Sequence, residues 1–481
     1  MITITRRLAS SLRAVFRRVL GTARAAGPAL CFTTSPEGMR VSLLAKGCDA
    51  AVEYHSPGKF PHEQLWVPLD LLADCEGKRN DPVELEQAAK GRVLAGWTDG
   101  IPQRIQYHIP EPWKAEEFPV RPEHFAQNPP DLPVALDFAA ATTDPDAVRY
   151  ALGCIRLSGK SGQLAATDGR QIYLHGGFSF PWEEELLVPR STVFGCRELP
   201  QDQPVGIGRA GEWVAFAVGP WTIYLRINKD GRFPDIDRHI PCADAAMARC
   251  QFSASDAEFL LNTLPKLPCD EDSNTWPVTV ELNGALVVRA KMSTQTEPTE
   301  LLLSHASIQG GPARVNTNRK YLGRALKLGF RELAIFNPQS PILCQDDRRI
   351  YLWAPLEPDS AIGPTENAVR IHVPEGAAES HPKPEPKRNV STMTEPIENL
   401  NPEPQTTEAK TNGQARKPSR KKAAKNATVT LVEQAEELRN ALRDALTKTT
   451  TLIQAIKENQ RRGRALRNTL ASLKQLQAVD A

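Results

Sequence analysis

The start of the chain is rich in arginine, a residue whose permanent positive charge suits the binding of anions. Residues 1–36 contain six arginines, no lysine and no acidic residue. The six are Arg6, Arg7, Arg13, Arg17, Arg18 and Arg24. Apolar residues recur at every fourth position from Leu8 to Leu20, which predicts an amphipathic helix over Arg6–Leu20. A basic helix suits contact with a polyanion, although a solvated surface or a mitochondrial-type presequence has a similar composition.

No comparable pattern indicates catalysis or metal binding. The nine histidines lack metal-ligand spacing, and the chain has neither a P-loop nor a G-x-S-x-G sequence. The nine cysteines include no C-x-x-C pair, which argues against a structural zinc site and favours free thiols in a reducing cytoplasm. The acidic run at 270–272 is typical of a solvated loop. We therefore predict no enzyme activity, no cofactor and no metal, although an enzyme acting on nucleic acid is the rival class.

The bulk properties are those of a large, nearly neutral chain. Its 481 residues suffice for about three domains plus extensions. No apolar run approaches the roughly 18 residues of a spanning helix, so neither a membrane partner nor a membrane location is expected. The formal net charge is only +2. Any affinity for nucleic acid must therefore come from the positions of the charges rather than from their sum.

The pattern of predicted elements repeats three times along the chain, in units of roughly 110 to 125 residues. Each unit is predicted to run strand, helix, strands, helix, strands, which is an α+β fold. The units span 1–126, 127–247 and 248–357. In the second unit we predict a strand at 134–138 and a helix at 144–152, and in the third a helix at 255–264 capped by Ser255. Such units could close into a ring through their edge strands.

Three motifs in the second unit are more specific than the repeat. Arg149-Tyr150-Ala151-Leu152 is followed by a predicted hairpin and by the turn Ala166-Thr167-Asp168-Gly169-Arg170-Gln171-Ile172. Residues 229–235, KDGRFPD, come later, and Arg238 and Ile240-Pro241 follow them. Taken alone, Thr167-Asp168-Gly169 is also an ordinary hairpin turn. Together, the order and spacing resemble the middle domain of bacterial DNA sliding clamps, the beta subunit of DNA polymerase III.

This resemblance covers about residues 1–357 and is weakest in the first unit. It implies three clamp domains per chain, a head-to-tail homodimer ring around double-stranded DNA, and a pocket for short peptide motifs of a DNA polymerase and the clamp loader. The residues that it places in the pocket are Arg149, Leu152, Thr167, Gly169, Arg170, Ile172, Pro234, Arg238, His239, Pro341, Leu352, Ala354, Pro355 and Leu356. The residues predicted to face DNA are Arg6, Arg7, Arg13, Arg17, Arg24, Arg319, Lys320, Arg324 and Lys327, and all of them except Arg24 lie on predicted helices that would line such a ring.

The match is not complete. The turn carries Arg170-Gln171 where the family usually has another residue and then arginine, and Ala354 stands where a larger apolar residue is common. Pro234, Leu352 and Pro355 could also be ordinary core or strand-end residues. These departures leave open a changed peptide preference.

The C-terminal part of the chain lies outside the repeat. Residues 358–428 have the composition of a disordered linker and include a basic run at 416–425. Residues 429–478 carry leucines at coiled-coil-like spacing and are predicted as one long helix. The rival to a DNA-encircling clamp is therefore a clamp-fold scaffold that is not loaded on DNA and acts through this helix.

Overall fold

The computed structural model describes residues 1–21, 27–147, 150–271 and 273–373. Several predictions fall outside these residues. They concern Arg24, Arg149, the predicted linker from residue 374 onward and the predicted helix at 429–478. No helix in the described ranges is long and apolar enough to cross a membrane.

Among its described residues, the first unit has two α-helices, and its strands belong to two sheets. Its helices are α1 (Arg6–Leu20) and α2 (Leu69–Cys75). Its strands are β1 (Ile2–Thr5), β2 (Leu30–Ser35), β3 (Gly38–Ala45), β4 (Ala50–Ser56), β5 (Glu63–Val67), β6 (Pro82–Ala89), β7 (Arg92–Asp99) and β8 (Ile101–His108). The predicted first helix is thus confirmed at both ends. The Thr5 side chain caps it by accepting a hydrogen bond from the Leu8 N–H at 3.1 Å.

The second unit repeats this order with a shorter second helix. It contains α3 (Leu132–Thr142) and a 3-10 helix at Thr192–Gly195. Its strands are β9 (Ala126–Asn128), β10 (Cys154–Ser158), β11 (Gln163–Thr167), β12 (Gln171–His175), β13 (Glu185–Pro189), β14 (Val205–Ala210), β15 (Trp213–Val218) and β16 (Trp221–Arg226).

The third unit repeats it again and continues past residue 357. Its helices are α4 (Ala254–Thr263) and α5 (Arg319–Lys327). Its strands are β17 (Ala248–Gln251), β18 (Pro277–Leu282), β19 (Leu286–Ala290), β20 (Thr299–Leu303), β21 (Ser307–Gly310), β22 (Ala313–Asn318), β23 (Glu332–Ile335), β24 (Ile342–Gln345), β25 (Arg349–Trp353) and β26 (Val369–His372). Residues 358–373, predicted as disordered linker, instead lead into β26, which pairs with β20.

In the described part of the chain, two of the four sheets join neighbouring units. One has the order β5-β2-β3-β4-β16-β15-β14-β9, and the other has the order β13-β10-β11-β12-β25-β24-β23-β17-β21. The joining pairs are β4 with β16 and β12 with β25, both antiparallel. Leu12 and Phe16 of α1 are fully buried in the main core. The α+β architecture of three repeated units predicted from the sequence is confirmed.

Three local predictions are wrong. Residues 134–138 belong to α3 and not to a strand, because α3 is apolar on most sides and lacks the polar face that identifies a helix. In the predicted helix at 144–152, the described residues form turns, since the Asp144 carboxylate accepts the Asp146 N–H at 3.0 Å. The cap of α4 is Ser253, whose side chain accepts the Asp256 N–H at 3.0 Å, rather than Ser255.

Candidate functional site

The turn between β11 and β12 is fixed by its own side chains. Thr167 Oγ1 accepts the Gly169 N–H at 3.0 Å, and Asp168 Oδ1 accepts the Arg170 N–H at 2.8 Å. Gly169 has a φ of 84°, which a residue with a side chain rarely adopts. The turn therefore holds Gly169 and Arg170 at the surface in one conformation.

The turn is joined to the end of the third unit. Ile172 of β12 faces Leu352 of β25 in the antiparallel register. The Ala354 N–H donates to the Arg170 carbonyl at 2.8 Å, which extends the contact beyond the end of β25. Residues from two distant parts of the chain thus form one surface, as the resemblance implies.

The connector between β16 and β17, residues 227–247, packs beside this surface. Its Ile236 lies in one apolar cluster with Ile172 and Leu352, and Phe233 packs against that cluster. Ile172 is 7% exposed and Leu352 is 3% exposed. Both residues therefore form the buried floor of the candidate pocket, and the accessible rim of that pocket consists of other residues.

Leu152 completes the rim. Its Cδ1 atom lies 4.0 Å from the position that a Cβ would take on Gly169. The Ala151 N–H donates to the Arg232 carbonyl at 3.0 Å, so this loop is tied to the connector. A Cβ on Gly231 would lie only 2.9 Å from the Ala151 Cβ, which explains the glycine there.

The remaining predicted pocket residues lie in neighbouring segments. Pro234 and His239 belong to the connector, where the exposed Arg238 pairs with Asp235 at 2.7 Å. Pro341 precedes β24, whose Leu343 faces Leu352. Pro355 follows Ala354 and is half-buried, whereas the Leu356 N–H donates to the Asn316 carbonyl of β22 at 2.8 Å.

A polar contact behind the turn was not predicted. Gln171 is buried, and its Oε1 accepts hydrogen bonds from Arg324 Nη1 and from the Tyr351 hydroxyl, each at 2.7 Å. Its Nε2 donates to Asp168 Oδ2 at 2.7 Å. Burial raises the pKa of the Tyr351 hydroxyl, so it stays a neutral donor. The signal in the sequence was Gln171 itself, which stands where the family usually has arginine.

The basic residues predicted to face DNA fall into two groups. Arg6 is buried, and it donates to the Cys75 carbonyl at 3.2 Å and to the Asp99 carboxylate at 2.8 Å. Arg319 is also buried and donates to the Leu267 carbonyl at 2.6 Å. Both guanidinium groups hold backbone in place, so we leave them out of any DNA surface.

The other basic residues predicted to face DNA differ in whether a neighbouring side chain contacts their charged group. Arg13 pairs with Glu76 at 2.6 Å, and Arg324 is engaged with Gln171. Lys320 Nζ lies 4.2 Å from the centre of the Trp276 ring, a cation-π contact that leaves the residue exposed. The exposed cations of α1 and α5 are Arg7, Arg17, Arg18, Lys320 and Lys327. In the described residues, no group of three histidine, cysteine or carboxylate side chains is arranged to hold a metal ion.

Neither a protein-family model nor a curated protein sequence matches the chain. Several solved structures do match the chain. The DNA polymerase sliding clamp from Pseudomonas aeruginosa matches at 18% identity with a TM-score of 0.59, over 74% of this chain and 99% of that chain. The beta subunit from DNA polymerase of Streptococcus pyogenes matches at 14% identity with a TM-score of 0.59, over the same shares.

The DNA polymerase sliding clamp from Bacillus subtilis matches at 15% identity with a TM-score of 0.57, over 74% of this chain and 98% of that chain. One of the similar Pseudomonas aeruginosa structures is described as bound to griselimycin. The chain therefore has the fold of bacterial DNA sliding clamps.

Proposed function

We propose that the protein is a non-catalytic cytoplasmic sliding clamp. Two copies would form a head-to-tail ring around duplex DNA and tether a DNA polymerase or repair protein there. The observation that carries the proposal is the repeated junction, because β4 with β16 and β12 with β25 join successive units in the same way. The same kind of junction, formed twice between two chains, would close a ring of six units.

The contact with DNA would be independent of base sequence. Exposed cations on α1 and α5 would reach phosphates directly or through water, which gives salt-dependent affinity without base readout. Arg7, Arg17 and Lys327 are among the exposed cations on these helices.

The partner contact would use the rim beside the turn. Leu152 and Arg170 flank the turn, with Ala354 hydrogen-bonded to it. An apolar slot next to an arginine suits a short peptide with glutamine, leucine and an aromatic end. Clamp-loader and polymerase segments of that chemistry are the proposed ligands.

Retention on circular DNA tests the ring. The full chain is incubated with its clamp loader, ATP and nicked circular plasmid, and the DNA is then isolated by gel filtration. A sliding ring is retained on the circle and is lost when the plasmid is linearised. Equal, loader-independent binding to both forms would contradict encirclement, and absence of retention would favour the scaffold that acts through its C-terminal segment.

A further inference from the structure

The two junctions inside the chain pair corresponding strands of successive units. In the first unit, β4 is the third strand of the run β2-β3-β4, and its free edge receives β16, the last strand of the second unit. In the second unit, β12 is the third strand of the run β10-β11-β12, and its edge receives β25, the last strand within residues 248–357. The third strand of one unit thus pairs with the last strand of the next.

The same rule identifies the strands that would join two chains. In the third unit the corresponding run is β18-β19-β20, whose third strand is β20, and the last strand of the first unit is β8. Within the described residues β8 pairs only with β7. A second copy would therefore close the ring by placing its β8 along β20.

That edge of β20 is already occupied. β26 runs parallel to β20, with Thr299 opposite Val369 and Leu302 opposite His372. A strand edge offers one row of backbone groups, so β26 and the β8 of a second copy exclude each other. We propose that β26 is a displaceable plug of the ring-closing edge, and that a second copy pairs with β20 only after β26 has left. This inference rests on the ring of the proposed function.

A ring closed over β26 would not reproduce the internal junctions. At the first junction a helix contact accompanies the strand pairing, since Thr192 Oγ1 donates to the Arg18 carbonyl at 3.0 Å. An inserted strand would move the neighbouring unit away by about 4.8 Å, the spacing of strands in a sheet. The corresponding helices of two chains would then be too far apart for such a contact.

The attachment of β26 is light. The Val369 N–H donates to the Pro298 carbonyl at 3.0 Å, and Arg370 Nε donates to Glu300 Oε2 at 3.2 Å. All four residues of β26 are exposed, including Val369 at 58% and Ile371 at 38%, and only the following Val373 is buried. A segment with so little buried apolar area opens at low cost.

Glu300 is the buried half of the contact with Arg370. It also accepts a hydrogen bond from Arg289 Nε at 2.6 Å, and Arg289 in turn pairs with Glu281. Glu300 therefore keeps a partner when Arg370 leaves, so release of β26 leaves no unpaired buried charge.

The edge strand β8, which would pair with β20 of another copy, carries exposed apolar side chains. On β8, Ile101 is 66% exposed and Ile105 is 37% exposed. Apolar side chains on an unpaired edge strand favour addition of another strand. A second copy of the chain, offering a freed β20, is the occupant that the repeat rule selects.

The test compares two variants of the full chain by size-exclusion chromatography with light scattering across a micromolar concentration series. Val369→Pro with Arg370→Glu removes the N–H bonded to Pro298 and places like charges at Glu300. Val369→Ile with Arg370→Lys keeps the N–H and the cation and is the matched control. We expect the first variant to dimerise about tenfold more tightly than the unmodified chain, and the control to behave like the unmodified chain.

Two further variants secure the interpretation. Deletion of residues 366–372 removes β26 without adding a charge or a proline, and it should raise dimerisation similarly. Adding Ile105→Lys to the Val369→Pro, Arg370→Glu chain should return it to a monomer, because lysine on an edge strand opposes pairing.

The other outcomes separate this inference from the ring itself. Equal dimerisation of the unmodified chain and the variants would overturn the plug and leave the ring standing. Weaker dimerisation of the variants would make β26 part of the interface and overturn the plug as well. If none of these chains dimerises, the proposed ring fails together with its plug.

Discussion

Arg324 of the third unit donates a hydrogen bond to the side chain of Gln171 in the second unit at 2.7 Å. The contact lies directly behind the turn that carries Gly169 and Arg170. It therefore ties the geometry of the candidate pocket to the junction of the two units.

Gln171→Ala is expected to destabilise this junction. The substitution leaves the buried Tyr351 hydroxyl and the Arg324 guanidinium without their common acceptor, which costs about 1 to 3 kcal/mol of the free energy of unfolding. Chemical denaturation measures the loss, and Lys327→Ala on an exposed position of α5 is the control. In a double-mutant cycle with Arg324→Ala, additive effects would show that the two side chains are not coupled.

Binding of a partner peptide should depend on the rim of the pocket rather than on its buried floor. Leu152→Asp or Arg170→Glu should weaken binding of a labelled peptide ending in Gln-Leu-x-Leu-Phe by about tenfold or more, since a buried leucine contributes about 1.5 to 3 kcal/mol. Ile172→Asp is a poor probe because Ile172 is buried and its loss would damage the fold.

Fluorescence anisotropy measures this affinity, with Lys160→Glu at the tip of the β10–β11 hairpin as the control. If the unmodified chain ignores the peptide even at several hundred micromolar, roughly the weakest specific affinity expected here, the altered turn does not take that motif. A clamp-fold scaffold that is not loaded on DNA would then be better supported than a sliding clamp.

The salt dependence of DNA retention should depend on the exposed cations of α1. Reversing Arg7, Arg17 and Arg18 to glutamate removes up to three phosphate contacts, each of which contributes about 0.9 to the slope of log affinity against log salt. A matched control reverses three exposed cations on hairpins, Lys90, Arg92 and Lys160. An unchanged slope in the α1 variant would leave the DNA contact to α5.

The sequence predicted more of the fold than of the site. The prediction of α1 is right at both ends because one face of the helix is buried and the other is basic, whereas the prediction of a strand at 134–138 is wrong because several faces of α3 are buried. The composition of 358–373 gave no sign of β26, since a short strand that adds to an edge needs few apolar residues. Arg6 and Arg319 look like surface cations in the sequence, and only the folded chain shows the carbonyl groups that hold them.

His175 makes the stability of the second and third units depend on pH. Burial lowers the pKa of its imidazole to about 4, with Arg348 and Arg349 acting in the same direction and Asp131 opposing them. In the unfolded chain the imidazole has its ordinary pKa of about 6.5 and binds a proton first as the pH falls. The stabilisation by neutral His175 is therefore complete above about pH 6.5 and is lost between about pH 6.5 and 4.

The expected loss is about 3 kcal/mol, since each pKa unit corresponds to about 1.4 kcal/mol. Urea denaturation of the full chain at a series of pH values between these limits measures it. His175→Gln keeps a polar side chain beside the Tyr173 hydroxyl, which lies 3.0 Å from His175 Nδ1, but it cannot titrate. This variant should lose distinctly less stability over the same interval, and parallel curves for the two proteins would assign the pH dependence to other groups.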